Sequence, residues 1–151
     1  MAEGRRIYYD NEDNDIYNKL KTTKIFKKAD NLDIFSISLI LGWNSARRTS
    51  LGKGSKGRIR ESTVNSSKVI RYLMMAIAVE EEGINVLSDD EDENGKIIKT
   101  AEDKYFLISE EYAKTGLKIL DNRIKTDDDI LTSMETELIE FYADNIHPQE
   151  E

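Results

Sequence analysis

The sequence predicts a mainly α-helical protein, a compact bundle of four to five helices with at most a short N-terminal strand or β-ribbon. Three helix starts are marked by a capping residue with an aspartate three positions later. They are Asp30 with Asp33, Thr100 with Asp103, and Thr126 with Asp129. The only proline, Pro148, lies near the end, and alternating β-branched runs are few. We expect one domain over residues 1–146 and a disordered tail over 147–151.

The N-terminal part is predicted to hold one strand and two helices. Residues 5–9 have the composition of a short edge strand or an extended arm. Residues 15–21 fit a short helix, because Ile16 and Leu20 are four apart. The next helix opens at Asp30 and is apolar nearly all round, which predicts a buried central element.

The middle of the chain is predicted to hold a loop and a helix. The loop is polar and glycine-rich and covers about residues 45–62. Ser66 or Ser67 is expected to cap the following helix, and Gly83 is a natural residue to end it. An acidic loop over residues 88–95 comes next.

The C-terminal part is predicted to hold a brief strand over residues 96–99 and two further helices. Gly116 lies within the helix that starts at Thr100. A glycine inside a helix lowers helix stability by about 1 kcal/mol relative to alanine, so its presence predicts close packing at this position. The last helix is expected to begin at Thr126. Its apolar positions are Ile130, Met134, Leu138 and Phe141.

Composition excludes several classes of function. The chain has no cysteine, which excludes disulfides, thiolate metal sites, iron–sulfur clusters and cysteine nucleophiles. Its one histidine, His147, lies near the end, so histidine-based catalysis is not expected. No signal peptide is visible, and the longest apolar run, residues 34–43, is too short to span a bilayer. We expect a cytosolic protein without a cofactor.

The two parts of the chain carry opposite charge. Up to Arg71 there are 15 Lys/Arg and 8 Asp/Glu residues, a net charge of +7. The remainder has 7 Lys/Arg and 22 Asp/Glu residues, a net charge of −15. This asymmetry suggests an electrostatic partner for one part, or two parts that face each other or simply solvate the surface.

The strongest candidate site is a cation-rich stretch, residues 47–60, which we call the basic loop. Its cations are Arg47, Arg48, Lys53, Lys56, Arg58 and Arg60, interleaved with Gly52, Gly54 and Gly57. Glycines permit close backbone approach, and arginines fork onto phosphate oxygens, which favours binding to a nucleic-acid backbone. The alternatives are docking on an acidic protein surface, including the chain's own, and a solvated loop. A nucleotide P-loop is not expected, because Arg58 and Ile59 follow Gly57.

Two weaker sites are also apparent. Arg5 and Arg6, together with Tyr8 and Tyr9, resemble a basic-aromatic arm that could add a second nucleic-acid contact. The acidic loop matches half of a calcium-binding motif. Asp90, Asp92 and Asn94 take its first three ligand positions, with Gly95 at the sixth, but Ala101 stands where a glutamate is required.

A metal-dependent enzyme would need clustered carboxylates. The candidates are Glu80, Glu81, Glu82, Glu110 and Glu111. Helical periodicity places these side chains on helix surfaces, and no histidine accompanies them. We therefore expect no catalytic activity, with metal-dependent catalysis as a minor alternative.

Several short segments, in this order, resemble a small bacterial and archaeal family associated with gene clusters for DNA sulfur modification (phosphorothioation). They are Ile25-Phe26-Lys27, Phe35, Leu41-Gly42-Trp43, Arg47-Arg48, Ile59-Arg60, Glu110-Glu111-Tyr112-Ala113, Gly116-Leu117 and Ile119-Leu120. Members are accessory proteins of a modification or restriction system. The resemblance covers roughly residues 5–121 and implies a context of DNA, cytosol and protein partners in a defence complex.

Two functional hypotheses follow. The first is a non-catalytic accessory protein that contacts the DNA backbone through Arg47 to Arg60. The second is a protein–protein adaptor or regulatory subunit, in which the same loop docks an acidic partner and the apolar helices support a homo-oligomer. Neither hypothesis involves a membrane.

Overall fold

The computed structural model describes residues 4–124 and 138–140. The elements in chain order are β1 (Ile7–Tyr9), α1 (Asn11–Leu20), α2 (Asn31–Asn44), β2 (Lys56–Ile59), α3 (Glu61–Ser66), α4 (Ile70–Glu82), a 3-10 turn (Ile84–Leu87), β3 (Asp90–Glu91), β4 (Ile97–Lys99) and α5 (Ala101–Arg123). The prediction of a mainly helical fold is confirmed. Most of the predicted last helix and the whole predicted tail lie outside the described residues, and the predicted domain limits stay a prediction.

The two helix starts predicted from a capping residue and an aspartate inside the described range, at Asp30 and Thr100, are confirmed. The Asp30 side chain accepts a hydrogen bond from the Asp33 amide at 2.8 Å, and the Asp33 carboxylate accepts one from the Asp30 amide at 3.0 Å. This reciprocal capping box fixes the first turn of α2. Thr100 Oγ1 accepts from the Asp103 amide at 3.1 Å at the start of α5.

Helix α4 follows the prediction at its C-terminal end and differs from it at its start. The side chain of Ser67 accepts a hydrogen bond from the Ile70 amide at 3.3 Å, but the residue at the N-cap of the helix is Val69, two positions after the predicted capping serine. The helix ends at Gly83, whose φ of +90° suits glycine. The brief strand predicted over 96–99 is confirmed as β4, which pairs with β3 as an antiparallel hairpin.

Two predicted boundaries were wrong. Helix α1 begins at Asn11 rather than Asp15, because the polar Asp13 belongs to its buried side together with Tyr17 and Leu20. The predicted loop over 45–62 contains β2 and the start of α3. Strand β2 has a single buried residue, Ile59, and exists through its antiparallel pairing with the distant β1, so its local sequence gives little sign of it.

The centre of the fold is the close antiparallel packing of α2 on α5. A Cβ atom at Gly116 would lie 1.6 Å from the carbonyl oxygen of Ser38, and one at Gly42 would lie 1.8 Å from that of Tyr112. Only glycine permits the two helix backbones to approach this closely. The prediction of close packing at Gly116 is confirmed.

The prediction that α2 is buried on all sides was wrong. Ile34, Phe35 and Leu39 are buried, but Ile40 is 53% exposed and Trp43 is 42% exposed. Helix α5 covers one side of α2, and the described residues leave part of the opposite side open to solvent. As for membranes, none of the helices in the described ranges is both long and apolar enough to cross a bilayer.

Candidate nucleic-acid interface

The basic loop is fixed to the helices at two points. The Thr49 amide donates to the carbonyl oxygen of Glu111 at 3.1 Å, and the Thr49 and Thr115 hydroxyl oxygens lie 2.7 Å apart. Farther along, the Gly52 amide lies 3.0 Å from both carboxylate oxygens of Asp10. The loop therefore has a defined path over α5 and the start of α1.

The Gly52 anchor rests on a buried group of three charges, Asp10, Asp13 and Lys114, which we call the ion trio. All three are at most 7% exposed. Lys114 Nζ donates to Asp10, and also to Asp13 at 3.1 Å. Removal of any one charge would leave the others buried without a full complement of partners. The trio thus locks the loop anchor onto α5.

The pKa values of the ion trio reflect burial and pairing together. Burial disfavours the charged form of Asp10, but hydrogen bonds from Lys114 and Gly52 outweigh it and lower the pKa of Asp10. Burial raises the pKa of Asp13 despite its bond to Lys114. Burial also opposes the charge on Lys114, yet the two carboxylates raise its pKa. Lys114 is therefore a fixed positive charge between its partners.

A second buried ion pair holds the N-terminal strand. Arg5 donates to the two carboxylate oxygens of Glu110 at 2.9 and 2.8 Å, and the Tyr8 amide donates to the same group. Glu110 is 2% exposed, so its predicted position on a helix surface was wrong. Burial raises the pKa of Glu110 to about 7, although Arg5 and the Tyr8 amide favour its charged form. The guanidinium of Arg5 is thereby occupied by a carboxylate of the protein itself.

Arg48 points back onto the acidic part of the chain. Its guanidinium lies 3.4 Å from a carboxylate oxygen of Glu81 and 3.5 Å from one of Glu82, and its Nε donates to Glu111 at 3.1 Å. Burial opposes the charge on Arg48, but these carboxylates raise its pKa. One cation of the loop thus docks on the acidic surface of the same chain, as the alternative interpretation of the loop anticipated.

Arg58 is held by the first strand. The pairing register shifts so that Ile7 and Tyr8 face Ile59 and Gly57, which makes Arg58 the extra residue of a β-bulge. Its Nε donates to the Tyr9 carbonyl at 3.0 Å, and its guanidinium lies 5.2 Å from the centre of the Tyr9 ring. Arg58 is therefore held in place and still borders the surface.

The remaining loop cations face solvent. Arg47, Lys53, Lys56 and Arg60, which we call the exposed cation set, are all exposed. Within the part of the chain that the structure describes, none of these four forms an ion pair. Arg58 and Arg60 also line an open cavity of about 400 Å³ together with Lys21. The sequence did not point to Lys21, because it lies outside the loop and meets it only in the folded chain.

The glycines of the loop serve the packing of the protein itself. A Cβ at Gly57 would lie 2.9 Å from Cδ of Arg6 and 3.2 Å from Cε1 of Tyr8. A Cβ at Gly52 would lie 3.3 Å from the carboxylate of Asp10. Glycine at these two positions lets the loop lie close to β1 and to its carboxylate anchor. Arg6 lines a shallow cavity beside Gly57 and Tyr8.

The candidate calcium ligands are engaged within the β3–β4 hairpin. Asp92 accepts hydrogen bonds from the amides of Asn94 and Lys96, each at 2.9 Å, and Asp90 pairs with Lys104 at 2.8 Å. Both carboxylates thus already have partners that stabilise the hairpin. Residues 4–124 and 138–140 contain no group of three or more acidic or histidine side chains placed to hold a metal ion.

The sequence was compared with known families, curated proteins and solved structures. Residues 6–151 match a family described as DNA sulphur modification system-associated protein 4. The chain belongs to this family. No curated protein and no solved structure matches it. The resemblance inferred from short segments of the sequence is thereby confirmed.

In this member of the DNA sulphur modification system-associated family, the eight cations predicted to contact DNA divide into groups. Arg5 and Arg48 form internal ion pairs. Arg58 is held against Tyr9, and Arg6 is half-buried beside Gly57. The exposed cation set completes the eight, and the fold adds Lys21 to it. The surface that the structure offers to an anion is therefore smaller than the predicted one and better defined.

Proposed function

We propose that this protein is a non-catalytic, cytosolic accessory component of a DNA sulphur modification system that contacts the DNA sugar-phosphate backbone. The exposed cation set, with Lys21 and Arg58, forms the contact surface. The observation that carries the proposal is that the exposed cation set lies on a loop of fixed path, with the half-buried Lys21 and Arg58 beside it, while Arg48 of the same loop is paired within the protein.

The chemistry of this surface suits phosphates in preference to bases. Arg58, Arg60 and Lys21 line one cavity of about 400 Å³, together with the single acidic residue Asp30. Guanidinium groups bind phosphate oxygens through paired hydrogen bonds, and ammonium groups add charge. Contacts of this kind position a protein on DNA without reading its sequence. We therefore expect binding to duplex DNA with little sequence preference.

The fixed path of the loop reduces the entropic cost of binding. Thr49 and Gly52 hold the first half of the loop, and pairing of β2 with β1 holds the second half. A surface that is ordered before it binds loses less conformational freedom on contact with its ligand. The acidic part of the chain does not prevent this contact, because charges farther than about 10 Å away are screened at 0.1 M salt.

The test is fluorescence anisotropy of labelled duplex DNA across a salt series. The variant Lys53→Ala/Lys56→Ala/Arg60→Ala removes three positive charges from the surface. We expect the log–log salt slope to become shallower by about 0.9 for each phosphate that the variant no longer binds. A matched control, Lys68→Ala/Lys96→Ala/Lys99→Ala, removes the same charge from exposed positions outside the loop. It should keep the wild-type slope.

Equal losses in the two variants would show that only net charge matters and would contradict a defined surface. A lack of binding by the wild type at low salt would contradict the DNA proposal altogether.

A second candidate function is that of an adaptor whose basic loop docks on an acidic protein. It is favoured by Arg48, which already binds three carboxylates of the same chain. In that case the triple variant would lose a protein partner rather than DNA. A complex from cells that survives nuclease treatment, and that the triple variant does not form, would support this second function.

A further inference from the structure

A second surface, separate from the basic loop, is apolar and lies on helices α2 and α4. Ile40 and Trp43 of α2, both more than two-fifths exposed, line an open groove of about 390 Å³. Leu73 and Ala76 of α4 line its other side. Exposed apolar side chains that are grouped in this way mark an interaction surface.

The exposed apolar surface extends beyond this groove along both helices. On α2, Ile37 lies one turn before Ile40 and is 39% exposed. At the start of α4, Val69 is 71% exposed and Tyr72 is 70% exposed. They lie one turn before the two groove residues of α4, and residues one turn apart share a side of the helix. We call these three side chains, with those that line the groove, the apolar face.

The charges at the two ends of α2 make the apolar face complementary to itself. Asp33 in the first turn and Arg47 just beyond the last turn are exposed, and the sequence has no charged residue between them. Ile40 lies midway, seven residues from each. In a second copy that runs antiparallel across Ile40, Arg47 would lie opposite Asp33 of the first. Trp43 would then lie level with Ile37 of the first copy.

Helix α4 carries charges at its ends in the reverse order. Lys68 precedes its start and Glu80 lies near its end, and both are exposed. The two helices run in the same direction, because Arg48, beyond the end of α2, pairs with Glu81 and Glu82 at the end of α4. The same antiparallel arrangement therefore places Lys68 of one copy on the side of Glu80 of the other. Complementarity of a surface to itself is what a two-fold dimer requires, since the same patch serves both copies.

We propose that the apolar face binds a second copy of the same chain as a two-fold dimer, with α2 antiparallel to α2 and Ile40 on the two-fold axis. The apolar side chains are then removed from water, and the opposite charges pair at the rim. Of the exposed cation set, Arg47 belongs to this interface, and Lys53, Lys56 and Arg60 stay available to DNA. The proposal does not depend on DNA binding, and its tests are made without DNA.

Analytical ultracentrifugation of the full chain tests the proposal. We expect the wild type to have twice the chain mass of 17.4 kDa, and Ile40→Asp to have the mass of one chain, because the variant places two carboxylates together on the axis. The matched control is Ile98→Asp, which changes a side chain of β4 that is 69% exposed and should remain a dimer. A wild type with the mass of one chain at its highest attainable concentration would overturn the proposal.

A charge reversal tests the rim without touching the apolar side chains. Arg47→Glu places acidic side chains opposite each other at Asp33 and should weaken the dimer at least about tenfold. Lys53→Glu makes the same change of charge in the basic loop, outside the interface, and should leave the dissociation constant unchanged. Equal weakening by the two variants would contradict the antiparallel arrangement.

Cross-linking tests the position of the axis, since the chain has no native cysteine. A residue on a two-fold axis lies beside its own copy, so Ile40→Cys should form a disulfide-linked dimer under mild oxidation, faster than Ile98→Cys. Equal rates would overturn the proposal. Trp43, the only tryptophan, reports on the same face, and its emission should shift to the red as the wild type dissociates on dilution. A monomer whose Trp43 is protected from acrylamide would assign the face to another segment of the same chain and would also overturn the proposal.

Discussion

Arg48 and Arg60 belong to the same cation-rich loop but have opposite surroundings. Arg48 lies against Glu81, Glu82 and Glu111, so its charge is used inside the molecule. Arg60 follows β2, is exposed and borders an open cavity. The difference depends on the side chains beside each residue, because carboxylates of α4 and α5 lie within ion-pair distance of Arg48, whereas the described residues give Arg60 no such pair.

The cations of this protein therefore have two different roles: some stabilise the fold, and others are available to a ligand. The inward cations, Arg5, Arg48 and Lys114, neutralise carboxylates and hold the loop and the first strand on α5. The outward cations are the ones that an external anion can reach. Buried pairs are costly to break, whereas exposed charges contribute little to stability and much to binding. Substitutions should therefore separate the two groups by their effects on stability and on DNA binding.

The largest effect is expected at the ion trio. Lys114→Met removes the charge between Asp10 and Asp13 and should lower the free energy of unfolding by about 3–5 kcal/mol, because two carboxylates stay buried without it. Urea denaturation followed by circular dichroism measures the loss. Lys118→Met, one turn farther along the same helix and exposed, is the matched control and should change little. Equal losses in the two variants would show that the trio has no special role.

The next largest effect is expected in the pH dependence of stability, through Glu110 and its ion pair with Arg5. The folded-state pKa of Glu110, about 7, lies above its ordinary value of 4.5, so protonation of this group favours the folded state. Its contribution to stability is fully present below pH 4.5 and is lost as the pH rises through about 7. Wild type should therefore lose roughly 3 kcal/mol relative to Glu110→Gln across that range.

Denaturation of both proteins at a series of pH values tests this expectation. Glu93→Gln, which changes an exposed carboxylate in the β3–β4 hairpin, serves as the control and should follow the wild type at every pH. If the difference between wild type and Glu110→Gln stayed constant with pH, Glu110 would be ionised throughout and the pairing with Arg5 would dominate its burial.

The sequence could predict those features that depend on neighbouring residues. The side-chain caps of α2 and α5, the end of α4 at Gly83 and the tight contact at Gly116 all have local signatures, and all are present in the structure. The burial of Glu110 and Lys114 has none, because their partners lie about a hundred residues away. The same holds for Lys21, which joins Arg60 only through the packing of distant segments. Charge composition thus indicated a binding loop but could not separate its inward cations from its outward ones.

The smallest effects on stability are expected at Arg48 and Arg60, and these two arginines can be compared directly. Arg48→Ala should lower the free energy of unfolding by up to about 1 kcal/mol, because it removes partly exposed ion pairs. Arg60→Ala should change it by less than about 0.5 kcal/mol. In DNA binding the order reverses. Arg60→Ala should make the salt slope shallower by about 0.9, the contribution of one bound phosphate, while Arg48→Ala leaves it unchanged. If Arg48→Ala alone flattened the slope, Arg48 would leave its carboxylates for the DNA, and the inward and outward cations would form a single exchanging surface.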